Sequence, residues 1–209
     1  MTEAKMKKVD LRNELGHLYN PSAKEVVEVE VPEMRFLAVD GQGDPVTSTA
    51  YKEATEALYA LSYALKFAVK KDEGIDYRVM PLEGLWWMDE EAPSLDDVME
   101  NRDAWKWTSM IMQPEWVTGW YVESALVSVG KKKDLPALSR VRFESFHEGR
   151  AAQIMHVGPF SEEGPTVGMV DRFIAERSAG MRSKHHEIYL SDFRKTAPER
   201  LKTIIRHPF

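Results

Sequence analysis

The residues best suited to catalysis or ligand binding lie near the C-terminal end, in the segment His185–Leu190. Glu187 stands in the middle of a predicted strand, next to Ile188. Because a carboxylate is costly to bury alone, it must be paired with a basic residue, exposed at an edge or held for a ligand. Burial would raise its pKa and make it a better base toward water. Tyr189 shares its face and could orient Glu187 or bind the ligand, although core packing is the alternative.

Six tryptophans crowd into residues 86–120. Flat rings supply contact area at low entropy cost, so this crowding predicts a ring-lined cavity wall, although tryptophan is commonly a core residue. Trp105 and Trp107 share one face of a strand, and Trp116 and Trp120 are spaced i, i+4 on a predicted helix that could cover a groove. The candidate ligand-binding residues are Trp86, Trp105, Trp107, Trp116, Trp120, Met110 and Phe160.

Other kinds of site find little support. His185 and His186 are adjacent on a strand and point to opposite faces, and there is no His-Glu-x-x-His, so no metal site is predicted. The loop 41–45 lacks the Lys-Ser/Thr of a phosphate loop and is predicted to be a turn. No Gly-x-Ser-x-Gly is present, and no cofactor is predicted. The absence of cysteine excludes disulfides and thiolate chemistry.

Composition narrows the class of protein. The chain has 209 residues, of which 43% are hydrophobic and 30% charged, as expected for one large domain or two fused small ones. A net charge of −6 argues against direct binding of nucleic acid. No signal peptide and no apolar window of about 20 residues are found, so we predict a cytoplasmic protein without a membrane partner. The oligomeric state is left open.

The elements that must position these residues follow from periodicity. Ala54, Leu58, Leu61 and Leu65 form one apolar stripe, which predicts a helix from Ser48 to a stop at Gly74. A second helix is predicted over 114–129 and a third over 164–178. The acidic segment 89–103 is predicted to be a surface excursion. Strands are predicted at 26–31, 34–39, 77–87, 105–112, 185–190 and 201–206, with a hairpin of 141–146 and 151–157.

Two stretches of the chain repeat one pattern, in which a strand, a glycine turn, a helix and a closing strand follow one another. The repeat predicts an α+β fold: a duplicated βαββ antiparallel sheet with two long helices on one face and a ligand cleft between the halves. Strand alternation then directs Ile188 and Leu190 toward the helices, and Glu187 and Tyr189 into a groove on the opposite face. The predicted organisation is an arm (1–23) and a domain (24–209) containing repeat 1 (about 26–88), an insertion (about 89–139) and repeat 2 (about 140–206).

Several segments resemble the GyrI-like family of ligand-binding domains. They are His186-Glu187-Ile188-Tyr189-Leu190-Ser191-Asp192, Met155-His156-Val157-Gly158-Pro159-Phe160, the 198–201 turn, Pro-Leu-Glu-Gly-Leu-Trp-Trp at 81–87, and Met-Ile-Met-Gln-Pro-Glu-Trp-Val-Thr at 110–118. The resemblance covers roughly 24–209. It implies a cleft between duplicated halves, in which a buried glutamate, here Glu187, meets the cationic or polar part of a hydrophobic compound. It also implies that stand-alone members can hydrolyse the cyclopropane ring of DNA-alkylating compounds.

Together these observations predict a protein that binds hydrophobic, planar or cationic small molecules in an aromatic-lined cleft with a central glutamate, for sequestration or detoxification of xenobiotics. An enzyme is the first alternative, a hydrolase that opens the cyclopropane ring of cyclopropanoid alkylators. The second is a protein-interaction module, such as a gyrase modulator.

Overall fold

The structure is a computed structural model that describes residues 6–89 and 101–209. The acidic stretch at 90–100, predicted to be a surface excursion, lies outside the described residues. The helices are α1 (Leu11–Glu14), α2 (Gly16–Tyr19), α3 (Thr49–Glu73), α4 (Gly119–Gly130) and α5 (Gly164–Ala175). The strands are β1 (Lys7–Val9), β2 (Val27–Val31), β3 (Met34–Gln42), β4 (Ile75–Tyr77), β5 (Leu82–Trp87), β6 (Lys106–Gln113), β7 (Arg142–Phe146), β8 (Gly149–Val157), β9 (His185–Tyr189) and β10 (Lys202–Pro208).

The long helix α3 begins and ends where the sequence predicts. The Ser48 hydroxyl accepts a hydrogen bond from the Tyr51 backbone N–H at 3.2 Å and caps the first turn. Gly74 ends the helix in the left-handed conformation, with φ at 67°, which glycine adopts without steric cost. The predicted stripe from Ala54 to Leu65 is completely buried against the sheet. By contrast, α4 begins at Gly119, five residues later than predicted.

The duplicated βαββ fold is confirmed. Repeat 1 consists of β3, α3, β5 and β6, and repeat 2 of β8, α5, β9 and β10. The main sheet of the described residues has the order β2-β8-β10-β9-β5-β6-β3-β7. The two repeats therefore meet where β9 pairs with β5. Strand β6, which falls in the predicted insertion, is an inner strand of the sheet.

The edge strands are exchanged between the repeats. Strand β2 precedes β3 in sequence but pairs with β8, and β7 precedes β8 but pairs with β3. The predicted hairpin of 141–146 with 151–157 is therefore wrong. Local spacing suggested a turn between these strands, but each strand instead finds its partner in the other half of the chain.

The predicted side of the groove is also wrong. Tyr51 of α3 contacts the rings of Trp86 and Trp107, and β5 pairs with β9 so that Trp86 and Gly84 lie opposite His185 and Glu187. Glu187 therefore lies on the face that carries the helices. Helix α3 packs on β3 and β6, and α5 packs on β8 and β10. The central strands β9 and β5 lie between the two helices.

The opposite face carries a buried polar network beneath the N-terminal segment. His186 lies between Glu83 and Glu148, at 3.0 and 2.9 Å, and Arg206 contacts Glu148 at 3.1 Å. Tyr19 of α2 donates to Glu83 at 2.8 Å, so the network also fixes the segment that covers it. Among the described helices, none has the length and apolar character to cross a membrane.

Candidate functional site

The candidate site is built around Glu187 at the junction of the two repeats. Its nearest strand neighbours are Gly84 on β5 and Ile205 on β10. Only 15% of the Glu187 side chain is exposed, between two helices that pack over the outer strands. A carboxylate in such a position needs polar partners of its own.

Three side chains supply those partners. His185 Nε2 lies 2.9 Å from Glu187 Oε1, and Tyr189 and Glu163 lie close enough to influence the charge of the carboxylate. Burial acts to raise the pKa of Glu187, but the hydrogen bonds and the charge of His185 outweigh burial and hold the pKa below its usual value. The carboxylate is therefore ionised at neutral pH.

Glu163 has the opposite character. It precedes α5 and is buried close to Glu187 and Thr203. Burial and the adjacent Glu187 charge raise the pKa of Glu163 well above its usual value. At neutral pH, Glu163 therefore keeps its proton beside the ionised Glu187. Two carboxyl groups share one negative charge in this site.

Aromatic rings surround this carboxyl pair. The Trp86 indole donates to the Tyr189 hydroxyl at 3.0 Å and stacks at a tilt on Tyr51, with the ring centroids 5.7 Å apart. Trp105 packs edge-on against Trp86, and Phe160 packs edge-on against Tyr189 at 5.8 Å. Phe160 is 42% exposed, so it lies at the solvent side of the cluster. The structure thus brings Trp86, Trp105 and Phe160 together with Glu187 and Tyr189.

Four other predicted residues have different surroundings. Trp107 is completely buried against Tyr51 and therefore supports that ring from below. Met110 alternates with Trp107 along β6, so it lies on the opposite face of the sheet, which argues against a role beside Glu187. Trp116 contacts Tyr77, and Trp120 contacts Tyr121, at the far end of α3. These contacts argue against the predicted groove-covering role of Trp116 and Trp120.

Sequence reasoning missed three neighbours of Glu187. His185 could have been found, because residues i and i+2 of a strand point to the same side. Tyr51 and Glu163 belong to segments far away in sequence, and no local pattern marks them. No group of His, Asp and Glu suited to a metal ion was found in the described parts of the chain.

Gly84 offers a test of how tightly the cluster is packed. A Cβ atom at this position would lie 2.6 Å from Trp86 Nε1 and 3.0 Å from the Tyr189 hydroxyl. We expect Gly84→Ala to break the hydrogen bond between them and to change the near-ultraviolet circular dichroism of the tryptophans, while the far-ultraviolet spectrum stays unchanged. Gly119→Ala is the matched control, since nothing lies within 4 Å of its added Cβ. An unchanged near-ultraviolet spectrum of Gly84→Ala would contradict the described packing.

Comparison with known proteins gives a consistent result. Residues 24–209 match the family model described as the GyrI-like small molecule binding domain. An uncharacterized conserved protein from Listeria innocua is 42% identical, with 96% of this chain and 98% of that chain covered and a TM-score of 0.86. A protein from the same organism, described as a hydrolase encoded by lin2189, is 43% identical over 97% and 99% of the two chains, with a TM-score of 0.83.

A more distant likeness concerns the fold alone. The EcmrR C-terminal domain is 10% identical, with 88% of this chain and 96% of that chain covered and a TM-score of 0.51. A search of curated proteins found no match to this chain.

Proposed function

The chain belongs to the family of GyrI-like small-molecule-binding domains, and we propose that it binds a hydrophobic, planar cation at Glu187. The observation that carries this proposal is an ionised carboxylate, 15% exposed, within a cluster of aromatic side chains. Sequestration or detoxification of foreign compounds is the role that fits such a site.

The charge of the site favours a cation over a neutral molecule. Glu187 is ionised and its neighbour Glu163 can ionise in turn, whereas the ring faces of Trp86 and Phe160 carry negative electrostatic potential. A flat aromatic cation would replace water around the carboxylate and would gain both charge pairing and ring contacts. Its neutral analogue would gain only the ring contacts.

Ethidium and its neutral parent ring phenanthridine test this preference. We expect ethidium to quench the tryptophan fluorescence of the protein in a saturable way and to bind roughly 10-fold more tightly than phenanthridine, as one charge-assisted contact provides. Fluorescence titration at pH 7 measures both affinities. Equal affinities, or saturation by neither compound, would contradict the proposal.

Glu163 should couple cation binding to pH. A bound cation favours the ionised form of Glu163, so binding below the raised pKa of Glu163 releases a proton, and affinity increases with pH by up to about tenfold per unit. The polar groups that act on the pKa of Glu163 are Glu187 and Thr203. Isothermal calorimetry in buffers of different ionisation enthalpy counts the released proton.

The matched variants for that measurement are Glu163→Gln and Glu162→Gln. Glu163→Gln should abolish proton release, whereas Glu162→Gln at the exposed neighbouring position should leave it unchanged. Proton release that persists in Glu163→Gln would assign it to another group.

Hydrolysis of a strained, electrophilic ring is a second candidate. It is favoured by the contact between His185 and the Glu187 carboxylate, and by relatives of 41–43% identity that are described as hydrolases. Glu187 would take a proton from water while the water oxygen bonds to a cyclopropane carbon. The ring C–C bond would break, and its electrons would move to a conjugated carbonyl oxygen, which then takes up a proton.

A cyclopropane-containing DNA alkylator with a conjugated carbonyl tests this candidate. We would follow the absorbance change of ring opening with purified protein and with buffer alone. Multiple turnovers supported by the wild type would establish a hydrolase. Quenching of tryptophan fluorescence without turnover would leave binding as the function.

A further inference from the structure

We propose that His185, His207 and Asp171 form a proton relay that connects the partly buried Glu187 carboxylate with solvent. Three consecutive contacts carry the proposal. Glu187 Oε1 lies 2.9 Å from His185 Nε2, His185 Nδ1 lies 2.7 Å from His207 Nε2, and His207 Nδ1 lies 2.9 Å from Asp171 Oδ1. The relay would serve the function proposed above for Glu187, and its purpose rests on that function.

Exposure is greatest at the Asp171 end of this chain of contacts, since the side chains of Glu187 and His185 are 15% and 23% exposed. The side chain of His207 is only 3% exposed, whereas that of Asp171 is 57% exposed. Asp171 comes from α5, His207 from β10, and His185 and Glu187 from β9. Three elements therefore contribute side chains to one continuous path. A carboxylate at the protein surface can exchange its proton with water directly.

A count of the protons shows that this path can carry a proton from Glu187 to solvent. Each of the three contacts needs one bridging proton, but two neutral imidazoles supply only two. The third proton enters when the ionised Glu187 accepts a proton from water, and it then bridges Glu187 and His185. The contact therefore holds a proton whose transfer changes the charge of Glu187.

Transfer to solvent then needs only short steps. The proton on Glu187 passes to His185 Nε2, the Nδ1 proton of His185 passes to His207 Nε2, and the Nδ1 proton of His207 passes to Asp171. Asp171 releases a proton to water. Only O–H and N–H bonds form and break, and Glu187 regains the negative charge with which it accepts a further proton from water.

The titratable groups around the relay affect the protonation of its members. Glu187 faces Tyr189, Glu163 and Tyr51 in addition to His185, and the Glu148 charge acts on His207 from the other face of the sheet. Burial lowers the pKa of His207, the Asp171 carboxylate opposes that shift, and a charge on His185 adds to it. His207 is therefore neutral at pH 7 and can both accept and donate a proton.

The test is long-range ¹H–¹⁵N NMR of the imidazole nitrogens in the free protein, which contains six histidines. In the wild type we expect His207 to be the tautomer protonated at Nδ1. Asp171→Asn should lower the protonation midpoint of His207 by about one pH unit and should also shift the ring nitrogens of His185, which Asp171 reaches only through His207. Asp171→Glu, which keeps the charge, should restore most of both changes.

Two results would overturn the relay. One is a His207 ring protonated only at Nε2 in the wild type, and the other is a His185 spectrum that Asp171→Asn leaves unchanged. Asp134→Asn, at an exposed loop position, is the matched control and should change neither ring. These measurements need no ligand, so failure of ethidium to bind the wild type would count against the proposed function and not against the relay.

Activity on the cyclopropane probe adds a functional readout. If the wild type turns the probe over, Asp171→Asn should alter the pH profile of the rate while leaving the affinity for ethidium within twofold. A rate profile identical to that of the wild type would exclude the relay from turnover.

Discussion

Replacing Glu187 by Gln should weaken ethidium binding by roughly 10- to 100-fold, the range expected when one charge-assisted contact is lost. Glutamine keeps the shape of the side chain but removes the charge that His185 and Tyr189 stabilise. Binding of phenanthridine should change little, because a neutral ring uses only the aromatic contacts. Fluorescence titration of both compounds against both proteins gives the comparison.

Glu162→Gln controls for a change in net charge, since Glu162 is exposed and lies next to Glu163 in sequence. Its affinity for ethidium should match that of the wild type at moderate salt, where exposed charges are screened. If Glu187→Gln and Glu162→Gln weaken binding equally, the effect is one of overall charge and the Glu187 site is excluded.

Replacing Glu148 by Gln should reduce the free energy of unfolding by roughly 3–5 kcal/mol, because it leaves two buried cations without an anion between them. His186 Nδ1 and Arg206 Nη1 both contact Glu148, and these three side chains are at most 1% exposed. Urea unfolding at pH 6, followed by circular dichroism, measures the loss. Glu144→Gln, whose partner Arg142 is exposed, should cost less than about 1 kcal/mol.

This network also predicts how stability depends on pH. His186 and Arg206 lower the pKa of Glu148 to about 2 against the effect of burial, so its stabilisation is complete above the unfolded value near 4.5 and is lost as pH falls toward 2. The two carboxylates raise the pKa of His186 to about 9, so its stabilisation is complete below about 6.5 and is lost as pH rises through 9. The free energy of unfolding should therefore be greatest between about pH 4.5 and 6.5. A maximum above pH 8 would contradict this assignment.

The sequence predicts most of the elements because their signals are local. The stripe from Ala54 to Leu65 and the stop at Gly74 define α3 without reference to any other segment. Strand pairing is not local, so the exchange of β2 and β7 between the repeats was missed. The predicted side of the sheet for Glu187 is wrong for the same reason, because the position of the helices over the sheet also depends on contacts between distant segments. Alternation shows which residues share a face but leaves open which face the helices cover.

The site itself was predictable only where its residues are close in sequence. Glu187 and Tyr189 follow from one strand, and Trp86 follows from the aromatic crowding. Glu163, His207 and Asp171 approach Glu187 or His185 only after the sheet has formed, so spacing gives no sign of them. Met110 was chosen from its neighbourhood in sequence, and the pleat of β6 turns it to the other face.

Because the edge strands are exchanged, the stability of each half of the chain depends on the other half. A chain cut near residue 139 would give two fragments, and each fragment would contain an edge strand, β2 or β7, that pairs with a strand of the other fragment. Neither piece could close its own hydrogen-bonded ladder, so the intact chain should denature as a single unit. Strands joined across such long separations in sequence also predict slow refolding for a protein of this size.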